Sequence, residues 1–345
     1  MHKTRKTVKI KDIAAELGVS NSLVSKVISG NLGTTKVRPE LQEKILKRAK
    51  ELDFRPNPLS SALKRGRFGA IGLLIHPIGV PGSELFDNLL KGITKELNNH
   101  GLRLWLQFFE DDQGFFDFCN QEIHRSVDGL IVAGVPHPTI HSLIESLNKD
   151  GLPIITSMRR HTVPNIANIT YNDYLQGKVA TQHLIEKGCQ RPAFFTVFEA
   201  EDERKQGYLD ALSEAEIPFD ESLIIAPTKN HYSHNFSFMA GRQMTEALIN
   251  CNVHFDGIVG QSDMQAIGAM NTLRERGIDV PSQVRVIGVD DSPFCTASTL
   301  PLSSVTAEMT TIGHELIKRL VAYIDGDKPE SLAVPPQVIE RESTR

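Results

Sequence analysis

From residue 69 onward the chain alternates short β-rich apolar runs with longer stretches of helical period, and no other feature constrains its fold as tightly. Strand-like runs fall at 70–75, 103–109, 129–133, 153–157, 192–198, 257–260 and 284–289. Helical patterns fill the intervals at 85–98, 139–148, 173–187, 204–215, 239–249, 263–276 and 311–323. Strand, helix and strand in succession close as a right-handed parallel unit, so the pattern predicts parallel sheets covered by helices. Two such sheets make a cleft, and ligands in this architecture sit beyond the carboxyl ends of the strands.

The 345 residues carry a formal charge of −4 that conceals a division. Residues 1–67 hold 16 Lys and Arg against 6 Asp and Glu, a net of +10, while the remainder holds 22 against 36, a net of −14. A basic end on an acidic body is expected where only that end meets a polyanion. Cys119, Cys189, Cys251 and Cys295 lie far apart with no Cys-x-x-Cys pair, as suits reduced thiols in a cytoplasm. No apolar run is long enough to cross a bilayer, and a helical pattern follows the basic start where a secretory apolar core would stand. A cytoplasmic protein without membrane partners is expected.

The basic end has helical order of its own. Ile10, Ile13, Ala14 and Leu17 recur at i, i+3, i+4 and i+7, one stripe of an amphipathic helix. Gly18 suits the left-handed position that ends it, Val19 plugs the turn, and Ser20 is a good N-cap for a second helix. On that helix Leu23, Val24, Val27 and Ile28 face inward and Gly30 stops it. A third helix begins at Pro39 and runs to about Leu52, with Leu41, Ile45, Leu46 and Ala49 as its buried stripe. Two short helices joined by a tight glycine-containing turn make a helix-turn-helix. The outward Asn21, Ser22, Ser25 and Lys26 are short polar groups plus one cation, suited to base edges and phosphates in a major groove.

The run from Val8 to Gly30 and the following Asp53-Phe-Arg-Pro-Asn-Pro-Leu-Ser-Ser-Ala-Leu-Lys-Arg-Gly-Arg67 together resemble the lactose-repressor (LacI/GalR) family. The resemblance covers essentially the whole chain. It implies a small all-α helix-turn-helix head over residues 1–56, a hinge helix and linker over 57–68, and a core over 69–345. The core is expected to be α/β and periplasmic-binding-protein-like, with two doubly wound parallel-sheet subdomains. The N-subdomain takes about 69–167 and 301–327, the C-subdomain about 168–300 and 328–345, with crossings near 168, 300 and 328. The resemblance also places Ser20, Asn21, Ser22, Ser25, Lys26, Ser29, Arg38, Asn57, Ser60 and Leu63 at double-stranded operator DNA, Leu63 as a wedge in the minor groove. Independently, so short a hinge cannot hold a helix alone, because nucleation is costly, and an apolar wedge unstacks a base step and kinks the duplex.

Several positions depart from the family pattern. Lys26 stands where an arginine is usual, supplying charge without the planar fork that reads guanine. The connection from the second to the third helix, Gly30 to Lys36, is longer than the pattern. Arg38 replaces the usual serine cap, and Ser60 a common alanine.

In the core, Glu203-Arg204-Lys-Gln-Gly207-Tyr208 matches the family's Arg-x-x-Gly-aromatic motif, whose arginine reaches the effector. Gly260 to Ala269 matches a strand-to-helix turn that places Ser262 in the cleft, and Val286 to Asp291 a stretch whose first aspartate, Asp290, binds effector hydroxyls. An arginine and an aspartate on opposite walls suit a polyol, the carboxylate accepting from hydroxyls and the guanidinium donating to them; the alternative is a structural Arg204–Asp290 ion pair. His76, Met158 and Ala133 fall at pocket positions that are small and polar or contact sugars in sugar-binding members, and a less polar cleft with a histidine favours a methylated, acylated or aromatic ligand. Trp105 reads as core.

Other signals carry no chemistry. His137 and His141 have metal-pair spacing but no third ligand nearby. His231 and His234 read as rim of a polar loop, and Glu110 to Asp112 as a solvated loop. Gly260-Gln-Ser262 lacks the closing glycine of a nucleophile elbow, and no phosphate-cradling glycine loop occurs. An enzyme and an exported sugar-binding protein are thus the weaker readings. The expectation is a transcription regulator without metal or cofactor, homodimeric, repressing through a helix-turn-helix and answering to a sugar-like small molecule. No apolar heptad follows Pro335 to zip dimers into tetramers.

Overall fold

The computed structural model describes residues 8–345 except 29, 31, 55–66, 77–83, 110, 120–122, 124–125, 135–137, 159–161, 197–201 and 228–233. The chain divides into two compact units, Met1–Phe68 and Gly69–Arg345.

The first unit holds α1 (Ile10–Leu17), α2 (Asn21–Ile28) and α3 (Pro39–Glu51). The backbone N–H of Lys9 donates to the Asp12 carboxylate at 2.8 Å, satisfying one of the first-turn donors of α1. Gly18 ends α1 at φ 64°, and the N–H of Val19 returns to the Ala14 carbonyl at 3.0 Å. Ser20 Oγ then accepts from the N–H of Leu23 at 3.2 Å and starts α2, the cap its sequence position suggested. Ile13, Ala14, Val24, Val27, Ile45 and Ala49 form the buried core of the unit. Leu46, expected in the inward stripe of α3, is 45% exposed. Leu41, Ile45 and Ala49 make a single i, i+4 row that fills the seam with α1 and α2, and Leu46 lies one step round from it.

The second unit opens with β1 (Ala70–Ile75), α4 (Glu84–His100), β2 (Arg103–Phe108), α5 (Asp112–Cys119), β3 (Gly129–Gly134), α6 (His141–Lys149) and β4 (Ile154–Met158). These strands form a parallel sheet in the order β2-β1-β3-β4. Next come β5 (Ile169–Tyr171), α7 (Asp173–Glu186), β6 (Pro192–Phe195), α8 (Glu203–Glu214), β7 (Ile224–Ile225), α9 (His234–Asn250), β8 (Gly257–Val259), α10 (Asp263–Glu275) and β9 (Arg285–Asp290). The chain closes with α11 (Phe294–Ala297), β10 (Ser303–Thr306), α12 (Met309–Ile324), β11 (Leu332–Val334) and β12 (Val338–Ile339). A second sheet runs β12-β10-β9-β8-β6-β7, parallel throughout except for β12. The pair β5–β11 continues the first sheet through a bridge from Thr156 to Asn168.

This pairing fixes where the chain passes between the two halves: after Tyr171, after Thr306 and after Val334. Each point lies a few residues downstream of 168, 300 and 328, because β5, β10 and β11 finish their ladders before the chain leaves. The passages after β5 and β10 depart from carboxyl ends, so those ends border the crossing region. Two sequence readings need correction. Trp105 is 39% exposed, not core, because β2 is an edge strand with one face outward; its indole packs against Phe118 at 4.4 Å between ring centroids. Of the acidic stretch read as a loop, Glu110 lies outside the described residues, Asp111 precedes α5 with its carboxylate accepting from the N–H of Gly114 at 2.8 Å, and Asp112 is already the first residue of α5.

Three helix pairs share one packing device. In α4 and α12, α7 and α8, and α9 and α10, each helix brings a glycine against the partner's backbone: Gly92 and Gly313, Gly177 and Gly207, Gly241 and Gly268. A Cβ on Gly207 would meet the Tyr174 carbonyl oxygen, and one on Gly177 the carbonyl of Arg204. The glycine in the Arg-x-x-Gly-aromatic motif therefore lets α8 lie directly on α7.

Candidate nucleic-acid interface and ligand cleft

In the first unit the outward side chains of α2 are those the sequence singled out. Asn21 and Ser22 are exposed on its first turn, and Ser25 and Lys26 are half-buried one turn later. Ser20 is exposed but spends its hydroxyl on the cap. Arg38 is exposed ahead of α3 and makes no side-chain cap bond, consistent with its replacing a serine there. Lys26 Nζ donates to Thr35 Oγ1 at 2.7 Å. Ser29, Asn57, Ser60 and Leu63 lie outside the described residues, and with them the hinge.

In the second unit the expected ligand residues gather at carboxyl ends of strands. His76 follows β1, with its N–H donating to the Ala133 carbonyl at 3.1 Å and its ring edge-on to Phe109 at 5.4 Å. Its Nδ1 is buried with no hydrogen-bond partner among the described residues, and burial lowers its affinity for protons against the pull of Asp112. Ala133 is buried near the end of β3, and Met158 ends β4 with its backbone opposite Gly134; its side chain lies outside what is described.

Arg204, on the first turn of α8, is only 6% exposed. Its Nε lies 2.8 Å from the Asp173 carboxylate and 3.1 Å from Gln176 Oε1. Its Nη1 donates to the Gln261 carbonyl at 2.6 Å and to Gln261 Oε1 at 3.2 Å. The guanidinium pairs with Asp173, and the strand-to-helix turn after β8 rests on it. Gln261 Nε2 and Thr196 Oγ1 in turn donate to Asp202 Oδ2 at 2.8 and 2.7 Å. Asp202 also caps α8, its Oδ1 accepting from the N–H of Lys205 at 3.2 Å. Ser262 is the N-cap of α10, its Oγ accepting from the N–H of Gln265 at 3.4 Å. Asp290 closes β9 at φ 113°, a strained backbone for a side-chain-bearing residue, and strain of that kind gathers at ligand sites.

Asp173, Gln176, Gln261, Asp202 and Asp263 were not singled out from the sequence. The three aspartates share a signal, a polar pair at the start of a helix, as in Asn172-Asp173, Asp202-Glu203 and Ser262-Asp263, whereas Gln176 and Gln261 carry none. Asp263 is 1% exposed, with Ser292 N–H donating to Oδ2 at 2.6 Å and Ser304 Oγ to Oδ1 at 2.5 Å. Burial pushes its carboxyl up to about 6. No group of three or more His, Cys, Asp or Glu able to hold a metal ion occurs among the described residues.

Residues 9–57 match the model of bacterial regulatory proteins of the lacI family, and residues 181–344 match that of the periplasmic binding protein-like domain. The chain carries a DNA-binding head of the lacI type and a periplasmic-binding-protein-like core. It is a DNA-binding transcription regulator, with the helix-turn-helix head and periplasmic-binding-protein-like α/β core its sequence suggested. It is similar to catabolite control protein A of Staphylococcus xylosus, 27% identical over 344 residues that cover 98% of this chain and 99% of that protein. Its fold matches a lac repressor dimer bound to operator and the anti-inducer ONPF, with a TM-score of 0.82 at 20% identity over 98% of this chain and 99% of the other. A complex of the regulator CelR with cellobiose matches with a TM-score of 0.68 at 24% identity, over 97% of this chain and 99% of that one.

Proposed function

We propose that this regulator represses transcription as a homodimer on a pseudo-palindromic operator, and that a sugar or sugar derivative bound between the two halves of the core sets its affinity for DNA. The reading takes residues 1–56 as the head, 57–68 as a hinge that becomes helical on DNA, and Leu63 as its minor-groove wedge. It takes His76, Met158, Arg204, Ser262 and Asp290 as the effector contacts. The observation that carries it is the Arg204 guanidinium, a buried cation held at the carboxyl edge of the sheet by Asp173, Gln176 and Gln261. A hydroxyl competing for that guanidinium pulls on the Gln261 turn and so on the start of α10. DNA and effector are then linked by one coupling free energy, typically about 1–3 kcal/mol.

The test is a titration against mixed genomic duplexes at two salt concentrations, with and without a panel of sugars that includes cellobiose. Saturable, footprinted binding with a steep salt slope supports the regulator, and a sugar that shifts both the footprint and the melting of the protein identifies the effector class. Arg204→Ala should abolish the sugar response while leaving ligand-free binding. Leu63→Ala should weaken specific binding with the fold intact. Uniform weak binding under every condition overturns the reading.

A further inference from the structure

We infer that Thr35 is a positioning residue for DNA recognition, holding the Lys26 ammonium so that the Thr35–Lys26 pair meets one backbone phosphate. The inference rests on the DNA-binding role of the head and concerns a contact made by the connection between α2 and α3.

That connection folds back on the head. Leu32 and Val37 pack against the core of the unit, one on each side of Thr35. Between them Gly33, Thr34 and Lys36 are exposed while Thr35 is half-buried. Gly33 takes φ 54°, and the N–H of Thr35 closes the turn on the Leu32 carbonyl at 2.9 Å. The Thr35 hydroxyl is therefore fixed from both sides before it accepts the bond from Lys26 Nζ at 2.7 Å.

The chemistry fits a phosphate. Lysine carries its charge on a flexible four-carbon stem with much rotamer freedom to lose on binding. A partner already in place removes part of that cost before DNA arrives. A hydroxyl that accepts from an ammonium still has its own hydrogen to donate. Thr35 and Lys26 thus offer an O–H and an N–H side by side, the donor set that phosphate oxygens take, and exposed Lys36 adds charge beside them.

The experiment selects an operator from a random duplex library with the full-length protein, then measures binding of single and double variants across salt. Failure to enrich any sequence would count against the regulator itself and not against this pair. With an operator in hand, Thr35→Val should weaken binding about tenfold with the salt slope unchanged, because the charge is kept. Thr35→Ser should restore wild-type affinity. Lys26→Met should lower the salt slope by about one, and adding Thr35→Val to it should cost nothing further. The inference is overturned if Thr35→Val has no effect, if Thr35→Ser fails to restore binding, or if Lys26→Met leaves the slope intact. A full additional loss in the double variant also overturns it, since that loss would report damage to the head.

Discussion

Gly207 shows how one atom can decide the approach of two helices. Its missing Cβ leaves room for the Tyr174 carbonyl, and Gly177 does the same for Arg204 from the other side. Gly207→Ala should therefore destabilise the core by about 1–3 kcal/mol, the range for overpacking, read as a lower urea midpoint with no change in the head. Asp263 carries a pH signature. Its carboxyl titrates at about 6 in the fold against an ordinary 3.8, because burial disfavours the charge. Between those values the native state binds the extra proton, so this group adds stability as pH falls from neutrality through 6 and withdraws it as pH rises. His183 works in the opposite sense. Burial lowers its proton affinity, so below an ordinary value of 6.5 the unfolded chain takes the proton and stability is lost. Unfolding free energy measured from pH 7 to 5 should thus fall more steeply in Asp263→Asn than in the wild type. It should fall less steeply in His183→Gln.

At the scale of elements, the head depends on a very small core. Ile45 is fully buried against α1 and α2, and Ile45→Ala should cost about 2–5 kcal/mol, comparable to the whole stability of a domain this size. Such a variant should lose operator binding and expose residues 1–68 to proteolysis while the core stays folded. The last residues of the chain are equally committed. Ser343 and Thr344 are both 0% exposed, the Ser343 hydroxyl donating to the Val286 carbonyl at 2.6 Å and Thr344 Oγ1 lying 2.8 Å from His183 Nε2. Removing residues 341–345 should lower the melting temperature of the core by several degrees, since it leaves these buried partners unsatisfied. The helix-turn-helix was legible at this scale because Gly18, Val19 and Ser20 each have one strong local preference. Leu46 and Trp105 misled, because which side of α3 or β2 meets the core depends on neighbours distant in sequence.

Across the whole molecule, the two units divide the charge as they divide the labour. Residues 1–67 carry a net of +10 and the remainder −14, so the salt dependence of DNA binding should reside in the head. Lys36→Ala should reduce the slope of log affinity against log salt by about one, whereas neutralising cations of the core should leave it unchanged. The ligand cleft was half legible. Ser262 follows β8 and Asp290 ends β9, whereas Arg204 sits on α8 and the groups that hold it come from α7 and from the turn after β8.

Periodicity, caps and charge determined that this chain builds a basic three-helix head and an α/β core, because those signals act over a few residues and need no partner elsewhere. Tertiary structure alone decided that Arg204 pairs with Asp173 and that Thr35 holds Lys26. It also decided that the chain leaves each half after β5, β10 and β11. A hydrogen bond or a strand ladder joins groups far apart along the chain, and only the folded arrangement brings their atoms within reach.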